Sequence, residues 1–341
     1  MDRKKTNYIA YAAVIAAVMV VLALPFLHKK KEARDSVTYT KLQMGTIVEI
    51  TILEGDGSRF DRAAEKAFRE IKRLEGLFSS YQPLSDVSRI SANAGGSPIA
   101  VSPEVIEVTE KAIDVAAISG GAFDPTIGSL AGLWGFSGES GVVPTKAEVE
   151  KVLPLVDFRL IEVDRKASTV FLKKRGAAFN LGGIAKGYIV GQAVGVLRVY
   201  GVKRAIIKAG GDLFAMNATA SVEQFRVGIK DPRDGDKLIG EVYLENGAVA
   251  TSGDYERFFE KDGVRYHHIL DPKTGFPARG SRSVTVVAED PTLADALSTS
   301  VFVMGPARGM ALVESLPGVE ALIVDSEGRI TQSSGFEGKV F

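Results

Sequence analysis

The residues with the clearest chemical potential lie in a glycine-rich segment, residues 180–188, which reads NLGGIAKGY. Glycine lets a backbone approach another group closely, and a helix that begins after such a turn directs N–H groups at whatever lies before it. Lys186 adds a point charge suited to phosphate. The segment matches neither the P-loop pattern nor the G-x-G-x-x-G pattern of dinucleotide-binding turns. We therefore expect a phosphate-bearing ligand at a site of another kind.

Asp295 and Thr299 form a second candidate pair within a helical pattern, residues 291–304. Residues four apart share one helix face, so a carboxylate and a hydroxyl would lie one turn apart. Two such oxygen ligands suit Mg²⁺, which completes its octahedron with water and phosphate oxygens. In the alternative interpretation, Asp295 only stabilises the positive end of the helix and Thr299 bonds back to a carbonyl.

The histidines form a third candidate. His267 and His268 precede the turn sequence DPKTG, residues 271–275, and His28 is the only other histidine. Imidazole can act as a general base near neutral pH, whereas a structural turn with one packed histidine is the alternative. The chain has no cysteine. Three histidines and no thiols argue against zinc and favour a hard cation held by oxygen.

Two loops carry weaker candidates. Ala122, Phe123 and Asp124 follow two glycines at the end of a predicted helix, and Tyr81 lies in a polar loop, residues 78–86. An aromatic ring and a carboxylate could face a planar ligand with polar edges, although plain helix termination explains the same residues. Lys plus Arg and Asp plus Glu both number 42, so the overall charge indicates no nucleic-acid partner.

Alternating strands and helices must position these residues. They are interspersed without a strict βαβ rhythm, which predicts an α+β fold of mixed sheets with packed helices. We expect one compact unit that could have two lobes, residues 37–341. Helical periodicity and capping residues predict helices over residues 59–78, 103–118, 184–200 and 291–304, and a short helix that starts at a capping box of Thr145 and Glu148. Predicted strands cover residues 38–42, 46–53, 204–208, 225–229, 238–244, 248–251, 283–288 and 319–324, with two short strands inside 161–172.

The N-terminal part differs from the rest. Residues 8–27 are almost entirely apolar and long enough to cross a bilayer, with basic residues on both sides. A cleaved signal peptide would have a shorter apolar region and a small-residue exit, so we favour an uncleaved transmembrane anchor over a cleaved signal. Residues 1–36 are therefore interpreted as an anchor and a linker.

Taken together and in this order, the motifs resemble the ApbE family, the FAD:protein FMN transferases. The resemblance runs from about residue 38 to the C-terminus. It rests on Met44-Gly45-Thr46, Tyr81 with Ser85-Asp86, residues 121–125 (GAFDP), residues 181–188, Gly210-Gly211-Asp212, residues 251–255 (TSGDY), residues 268–275 and residues 295–299.

The resemblance implies a reaction in which FAD is split at its pyrophosphate. AMP leaves, and FMN becomes joined through a phosphoester to a Thr or Ser hydroxyl of a target protein. Pyrophosphate cleavage benefits from Mg²⁺, which neutralises developing charge. By similarity, Asp295, Thr299 and the backbone carbonyl of Gly183 would hold this ion.

The same resemblance implies the FAD contacts. Lys186 would lie near FAD, and His268 would border the cleft as the candidate base for the acceptor hydroxyl. The family commonly has Asp where this chain has Asn180, which keeps an acceptor oxygen but loses the charge. The remaining residues implied to line the FAD site are Met44, Tyr81, Ala122, Phe123, Asp124 and Ile269.

Two alternatives to FMN transfer stay open. A Mg²⁺-dependent FAD pyrophosphatase would release FMN and AMP because water replaces the hydroxyl, and a membrane-anchored flavin-binding protein would have no turnover. Family members are typically tethered outside the cytoplasmic membrane, which implies a single-pass inner-membrane protein with its catalytic domain on the periplasmic side. The implied partner is a flavin-accepting protein, either a membrane redox subunit or a secreted flavoprotein.

Overall fold

The computed structural model describes residues 36–54, 57–136, 141–219 and 223–341. These ranges form the expected α+β arrangement of sheets and packed helices. The prediction of mixed sheets is wrong for the named strands, whose pairs are all antiparallel, as tight turns between neighbours such as residues 204–209 and 212–217 require. The anchor predicted at residues 8–27 lies outside them. Among the helices in the described ranges, none has both the length and the apolar character needed to cross a membrane.

An eight-stranded sheet, antiparallel throughout, forms the centre of the molecule. Its strand order is β1-β2-β6-β7-β10-β13-β14-β15, so strands far apart in sequence become neighbours. These strands are β1 (Val37–Gln43), β2 (Thr46–Ile52), β6 (Arg204–Ala209), β7 (Asp212–Asn217), β10 (Gly247–Gly253), β13 (Ser281–Ala288), β14 (Val319–Asp325) and β15 (Ile330–Gln332).

Both faces of this sheet are buried over much of its area. In β7, Phe214 and Met216 face the main core, while Leu213 and Ala215 face a second hydrophobic cluster. This alternation follows the two-residue period of a strand. The second cluster lies under a three-stranded sheet of β8 (Phe225–Lys230), β9 (Leu238–Leu244) and β16 (Gly338–Val340).

Helices cover the other face of the central sheet. The helix over residues 61–78 packs its apolar stripe, which includes Ala67, Ile71 and Leu74, against the sheet and the helix over 185–199. The helices are α1 (Asp61–Phe78), α2 (Asp86–Ala92), α3 (Pro103–Ile118), α4 (Gly128–Trp134), α5 (Lys146–Val152), α6 (Ala185–Val199), α7 (Pro291–Met304) and α8 (Pro306–Glu314). Helix α7 packs on β10, β13 and α6, so it sits at the centre of this layer.

Several predicted boundaries are confirmed. Helices α3 and α7 have the predicted bounds, and the capping box of Thr145 and Glu148 forms at the start of α5. Elements without a predicted counterpart include α2, α4, α8 and β7. Helices α2 and α4 have seven residues each, too few for a clear helical period.

Two smaller sheets and an aromatic cluster complete the fold. The sheets are formed by β3 (Ile99–Ala100), β5 (Thr169–Leu172) and β4 (Ile161–Asp164), and by β11 (Phe258–Lys261) with β12 (Val264–His267). The buried ring of Trp134 stacks with Phe136 and lies edge-on to Phe276, while its indole N–H donates to Gly275 O at 3.0 Å. This cluster fixes the turn that follows His268.

Candidate active site

The glycine-rich segment is held by hydrophobic anchors and by the loop before α4. Leu181 and Ile184, on either side of the two glycines, are fully buried. The backbone N–H of Asn180 donates to Pro125 O at 2.7 Å, and the N–H of Phe179 donates to Ser91 Oγ at 2.9 Å. The backbone on both sides of Gly182 and Gly183 is therefore fixed by packing and hydrogen bonds.

Asp295 caps the helix that begins after this segment. The N–H of Gly187, in the first turn of α6, donates to Asp295 Oδ2 at 2.9 Å. A Cβ on Gly187 would overlap Pro291 O and lie 2.8 Å from Asp295 Cβ, so α6 and α7 approach closely only because this residue is glycine. The expectation of free N–H groups at this helix end is corrected here, since the Gly187 donor is occupied by a protein carboxylate.

Lys186 lies between two carboxylates. Its ammonium forms an ion pair with Asp212, the first residue of β7, and also interacts with the charge of Asp295. Burial alone would lower the pKa of Lys186, but the two negative charges outweigh burial and raise it. Lys186 therefore stays positively charged beside the glycine-rich segment.

Asp295 is the most strongly perturbed acid of the site. Burial raises the pKa of this carboxyl well above its ordinary value, and the nearby Asp212 raises it further. Lys186 and the N–H of Gly187 act in the opposite direction. A carboxylate that is costly to ionise here would be stabilised by a cation.

Gly183 and Thr299 complete a set of oxygen donors. The position of a Cβ on Gly183 would be 3.1 Å from Thr299 Oγ1 and 3.2 Å from Phe123 Cε2, so α7 and the Phe123 loop meet at this glycine. Thr299 Oγ1 also lies 3.3 Å from Ser252 Oγ at the end of β10. The structure thus brings Gly183, Asp295 and Thr299 to one place.

This donor set fits a hard cation. In the described ranges, no group of three or more His, Cys, Asp or Glu side chains could hold a metal ion. The carboxylate of Asp295 and the hydroxyl of Thr299 lie on one helix face beside Gly183, whose backbone carbonyl would supply a third oxygen. Mg²⁺ accepts such mixed oxygen donors when waters and phosphates supply the rest. The residues present therefore fit Mg²⁺.

The two histidines occupy different environments. His267 is buried, with Nε2 2.7 Å from Ala278 O and its ring edge-on to Phe302. His268 is half-buried, and its Nδ1 lies 3.3 Å from Arg257 O. Burial and the positive charge of Arg257 lower the pKa of His268 to about 4. Since a carbonyl can only accept, this contact places the proton on Nδ1 and leaves Nε2 as a lone-pair acceptor.

Met44 occupies the tight turn between β1 and β2. It has a positive φ of 53°, and its N–H donates to Glu75 Oε1 at 2.8 Å. A non-glycine residue in this region of φ is uncommon and indicates a locally constrained turn. The neighbouring Gly45 faces the Arg257 guanidinium, so this turn and the loop that precedes His268 lie side by side.

The other predicted FAD contacts differ in exposure. Tyr81 is 70% exposed, whereas Ala122, Phe123 and Ile269 are buried. Asp124 is also buried, and its carboxylate accepts from Thr126 N, Thr126 Oγ1 and Phe158 N at 2.6–2.9 Å. The carboxylate of Asp124 thus organises its own loop. The side chain of Asn180 likewise stabilises its own turn, since its Oδ1 accepts from Gly182 N at 2.7 Å.

No local sequence pattern assigns a role to Asp212, Ser252 or Arg257. Asp212 follows two glycines at the start of a strand, and Ser252 follows a strand that turns at Gly253. Both patterns are typical of residues at the border of a site. However, Asp212 pairs with Lys186 and Ser252 with Thr299, which come from elements far away in sequence. Their pairing depends on the strand order of the central sheet.

Fold and site together define a class of protein. It is a mixed α+β protein in which a glycine-rich turn lies against a buried carboxylate and a hydroxyl of a core helix. A charged lysine and a neutral histidine border the same region.

The chain belongs to the ApbE family, whose model matches residues 44–323. The FAD:protein FMN transferase of Treponema pallidum (strain Nichols) is 34% identical over 316 residues, which cover 88% of this chain and 87% of that protein. The enzyme of the same name from Klebsiella pneumoniae (strain 342) is 33% identical over 301 residues, covering 87% and 92% of the two chains.

Solved structures agree with this assignment. The crystal structure of the ApbE protein from Thermotoga maritima has a TM-score of 0.81 and 38% sequence identity, and the match covers 88% of this chain and 97% of that one. The flavin transferase ApbE from Vibrio cholerae has a TM-score of 0.77 and 28% identity, with the same two coverages.

Proposed function

We propose that this chain is an FAD:protein FMN transferase that uses Mg²⁺ to attach FMN from FAD to a Thr or Ser hydroxyl of an acceptor protein. Membership of the ApbE family and the names of the curated relatives support the transferase activity. The observation that carries the Mg²⁺ and pyrophosphate detail is the convergence of Gly183, Asp295 and Thr299 beside the charged Lys186.

The reaction balances as a phosphoryl-group transfer. The acceptor hydroxyl oxygen bonds to the phosphorus on the FMN side of the pyrophosphate, and the bond from that phosphorus to the bridging oxygen breaks. AMP leaves with the bridging oxygen, and the hydroxyl proton passes to a base. Asp295, Thr299 and the Gly183 carbonyl would hold Mg²⁺, which when bound would neutralise charge on the phosphate oxygens.

His268 is the proposed base. Its low pKa keeps the imidazole neutral near pH 7, and the contact from Nδ1 to Arg257 O leaves Nε2 able to accept the hydroxyl proton. His267 is unsuited to this role because its ring is buried against Phe302 and Ala278 O.

The remaining residues would bind and orient FAD. Lys186 supplies a fixed positive charge, and Phe123 and Ile269 supply apolar surface. Met44 and the exposed ring of Tyr81 would contact FAD from the opposite loops. Ala122, Asp124 and Asn180 would contribute mainly by shaping the loops around the ligand.

Product analysis tests the proposal. The protein would be incubated with FAD, Mg²⁺ and a candidate acceptor, such as a membrane redox subunit or a secreted flavoprotein. We expect fluorescence of covalent flavin on the acceptor after denaturing electrophoresis, together with one AMP for each flavin attached. An acceptor whose target Thr or Ser is replaced by Ala provides the matched control.

Two results would contradict transfer. Free FMN and AMP with no covalent flavin would identify a Mg²⁺-dependent FAD pyrophosphatase. Tight FAD binding with neither AMP nor FMN released would identify a flavin-binding protein without turnover.

We also propose that residues 37–341 form the transferase domain, and that residues 1–36 anchor it to the cytoplasmic membrane with the domain on the periplasmic side. The apolar length of residues 8–27 supports this arrangement. A β-lactamase fused after residue 341 should confer ampicillin resistance if the domain is exported, and sensitive cells that contain the intact fusion would oppose the proposal.

A further inference from the structure

Arg257 contacts two parts of the candidate site, the Met44-Gly45 turn and His268. It precedes β11, its side chain is exposed, and its Nη2 lies 3.6 Å from the position of a Cβ on Gly45. Its carbonyl accepts from the backbone N–H of His268 at 3.0 Å. The guanidinium therefore sits beside the Met44-Gly45 turn, and its own backbone supports His268.

Arg257 forms no ion pair with another described residue. In the part of the chain that the structure describes, no carboxylate pairs with its guanidinium. Arg233 and Arg265, in contrast, both interact with the carboxylate of Asp254. Arg233 donates to both oxygens of Asp254 at 2.7 Å, and Arg265 lies 3.7 Å from the same carboxylate. Arg233 and Arg265 are therefore neutralised by protein carboxylates, Arg265 also by Glu260 at 3.1 Å, whereas the described residues provide no such contact for Arg257.

A planar guanidinium with several N–H donors matches the oxygens of a phosphate group better than any other side chain does. The positive charges of Arg257 and Lys186 both act on the imidazole of His268, so an anion bound beside His268 would lie near both cations. Among the described residues beyond the turn itself, the only atom within 4 Å of the position of a Cβ on Gly45 is Arg257 Nη2, so the guanidinium lies directly over this glycine. FAD carries its two negative charges on the diphosphate.

We propose that Arg257 is a further substrate-contacting residue, which binds the diphosphate of FAD and so distinguishes phosphate-bearing ligands from neutral nucleosides. This inference rests on the proposed function, because it takes FAD as the ligand of the site. It adds a specificity role to a residue outside the glycine-rich segment and the candidate metal donors.

Equilibrium binding to the full chain tests the role of Arg257. The variant is Arg257→Gln, and the control is Arg226→Gln, whose guanidinium lies on β8 near the Tyr243 ring. FAD, ADP, riboflavin and adenosine would each be titrated by calorimetry in the presence of Mg²⁺. We expect R257Q to weaken FAD and ADP by about 10- to 100-fold, the loss typical of a hydrogen bond to a charged group, and to leave riboflavin and adenosine unchanged. R226Q should change none of the four.

Two results would overturn the inference. If R257Q bound FAD and ADP with wild-type affinity, Arg257 would not contact the diphosphate. An equal loss for all four ligands would indicate a change in pocket shape instead of a lost phosphate contact. Matching thermal unfolding of R257Q and wild type would show that both folds are intact. FMN transfer by wild type, measured alongside, separates failure of this inference from failure of the proposed function.

Discussion

At the scale of single residues, the site is organised by charges that compensate one another. Asp295 is buried and receives the Gly187 N–H, while Lys186 is balanced by Asp212 and also interacts with Asp295. Each buried charge thus has a partner, as burial requires. Beside these pairs, Gly183 and the hydroxyl-bearing Thr299 remain partly exposed.

The role of His268 leads to a first prediction. The variant His268→Ala should lower kcat for FMN transfer by about 10²- to 10⁴-fold, because general-base catalysis contributes on that order. FAD affinity should change little. Stopped-flow transfer assays with and without added imidazole would measure this, and we expect partial rescue by imidazole. A variant with wild-type kcat would rule His268 out as the base.

Asn180 leads to a second prediction. Its Oδ1 accepts the Gly182 N–H at 2.7 Å, a bond that an aspartate could also make. Asn180→Asp should therefore preserve the turn and add a negative charge close to the candidate cation site. We expect tighter Mg²⁺ binding, on the order of tenfold. Calorimetric titration with Mg²⁺ would measure it, and an unchanged affinity would show that position 180 acts only on the turn.

Local sequence patterns identify some of these residues but not others. Asp295 and Thr299 follow from helical spacing, which is local, and the structure places both beside the glycine-rich segment. The ion pair of Lys186 with Asp212 depends on where β7 lies, which no local pattern specifies. The carboxylate of Asp124 was expected to face a ligand, yet its oxygens accept from Thr126 and Phe158.

At the scale of elements, the contact between α6 and α7 determines the site geometry. Gly187 permits this contact because a Cβ would overlap Pro291 O, while a Cβ on Gly195, two turns further along α6, would meet nothing within 4 Å. These two glycines provide a matched pair on one helix.

The third prediction uses this pair. Gly187→Ala should destabilise the fold by about 3 kcal/mol, since overpacking forces the two helices apart, and should also reduce FMN transfer. Gly195→Ala should stabilise by about 0.5–1 kcal/mol, because alanine is the better helix former. Urea unfolding of both variants would measure this. Equal stability of the two would contradict the close contact between the helices.

The fourth prediction concerns β12 and its buried histidine. Burial lowers the pKa of His267 from its ordinary value of 6.5 to about 4. The unfolded chain therefore binds the proton more tightly, so this contribution to stability is complete above pH 6.5 and is lost as the pH falls towards 4. Between pH 7.5 and pH 5 the loss from this residue should be about 2 kcal/mol.

His267→Gln removes this titration while an amide can still donate to Ala278 O. Urea unfolding at pH 7.5 and pH 5 should then show a smaller pH-dependent loss in the variant than in wild type. The same loss in both proteins would mean that His267 is not the titrating group.

At the scale of the whole molecule, the α+β class could be predicted but the sheet order could not. Helices α3 and α7 carry strong periodicity and end signals, and both have the predicted bounds. The pairing of β2 with β6 joins residues more than 150 positions apart. Strands buried on both faces, such as β7, also lack the polar alternation that marks a half-exposed strand.

This architecture explains how one site is built from distant segments. The central sheet brings the start of β7 and the end of β10 next to each other, and the helical layer places α6 and α7 above them. Asp212, Ser252, Lys186 and Thr299 therefore meet although each comes from a different element. The site depends on the assembled fold more than on any one motif.

The most direct test of the central claim is peptide mapping of an acceptor protein after incubation with FAD, Mg²⁺ and either wild-type enzyme or Asp295→Asn. We expect wild type to place FMN on one Thr or Ser, with one AMP released for each FMN bound and no product when Mg²⁺ is chelated. D295N should fold normally and lose at least about 100-fold in rate, because its neutral amide holds a cation poorly. Covalent FMN formed at wild-type rate by D295N, or formed without Mg²⁺, would contradict the account.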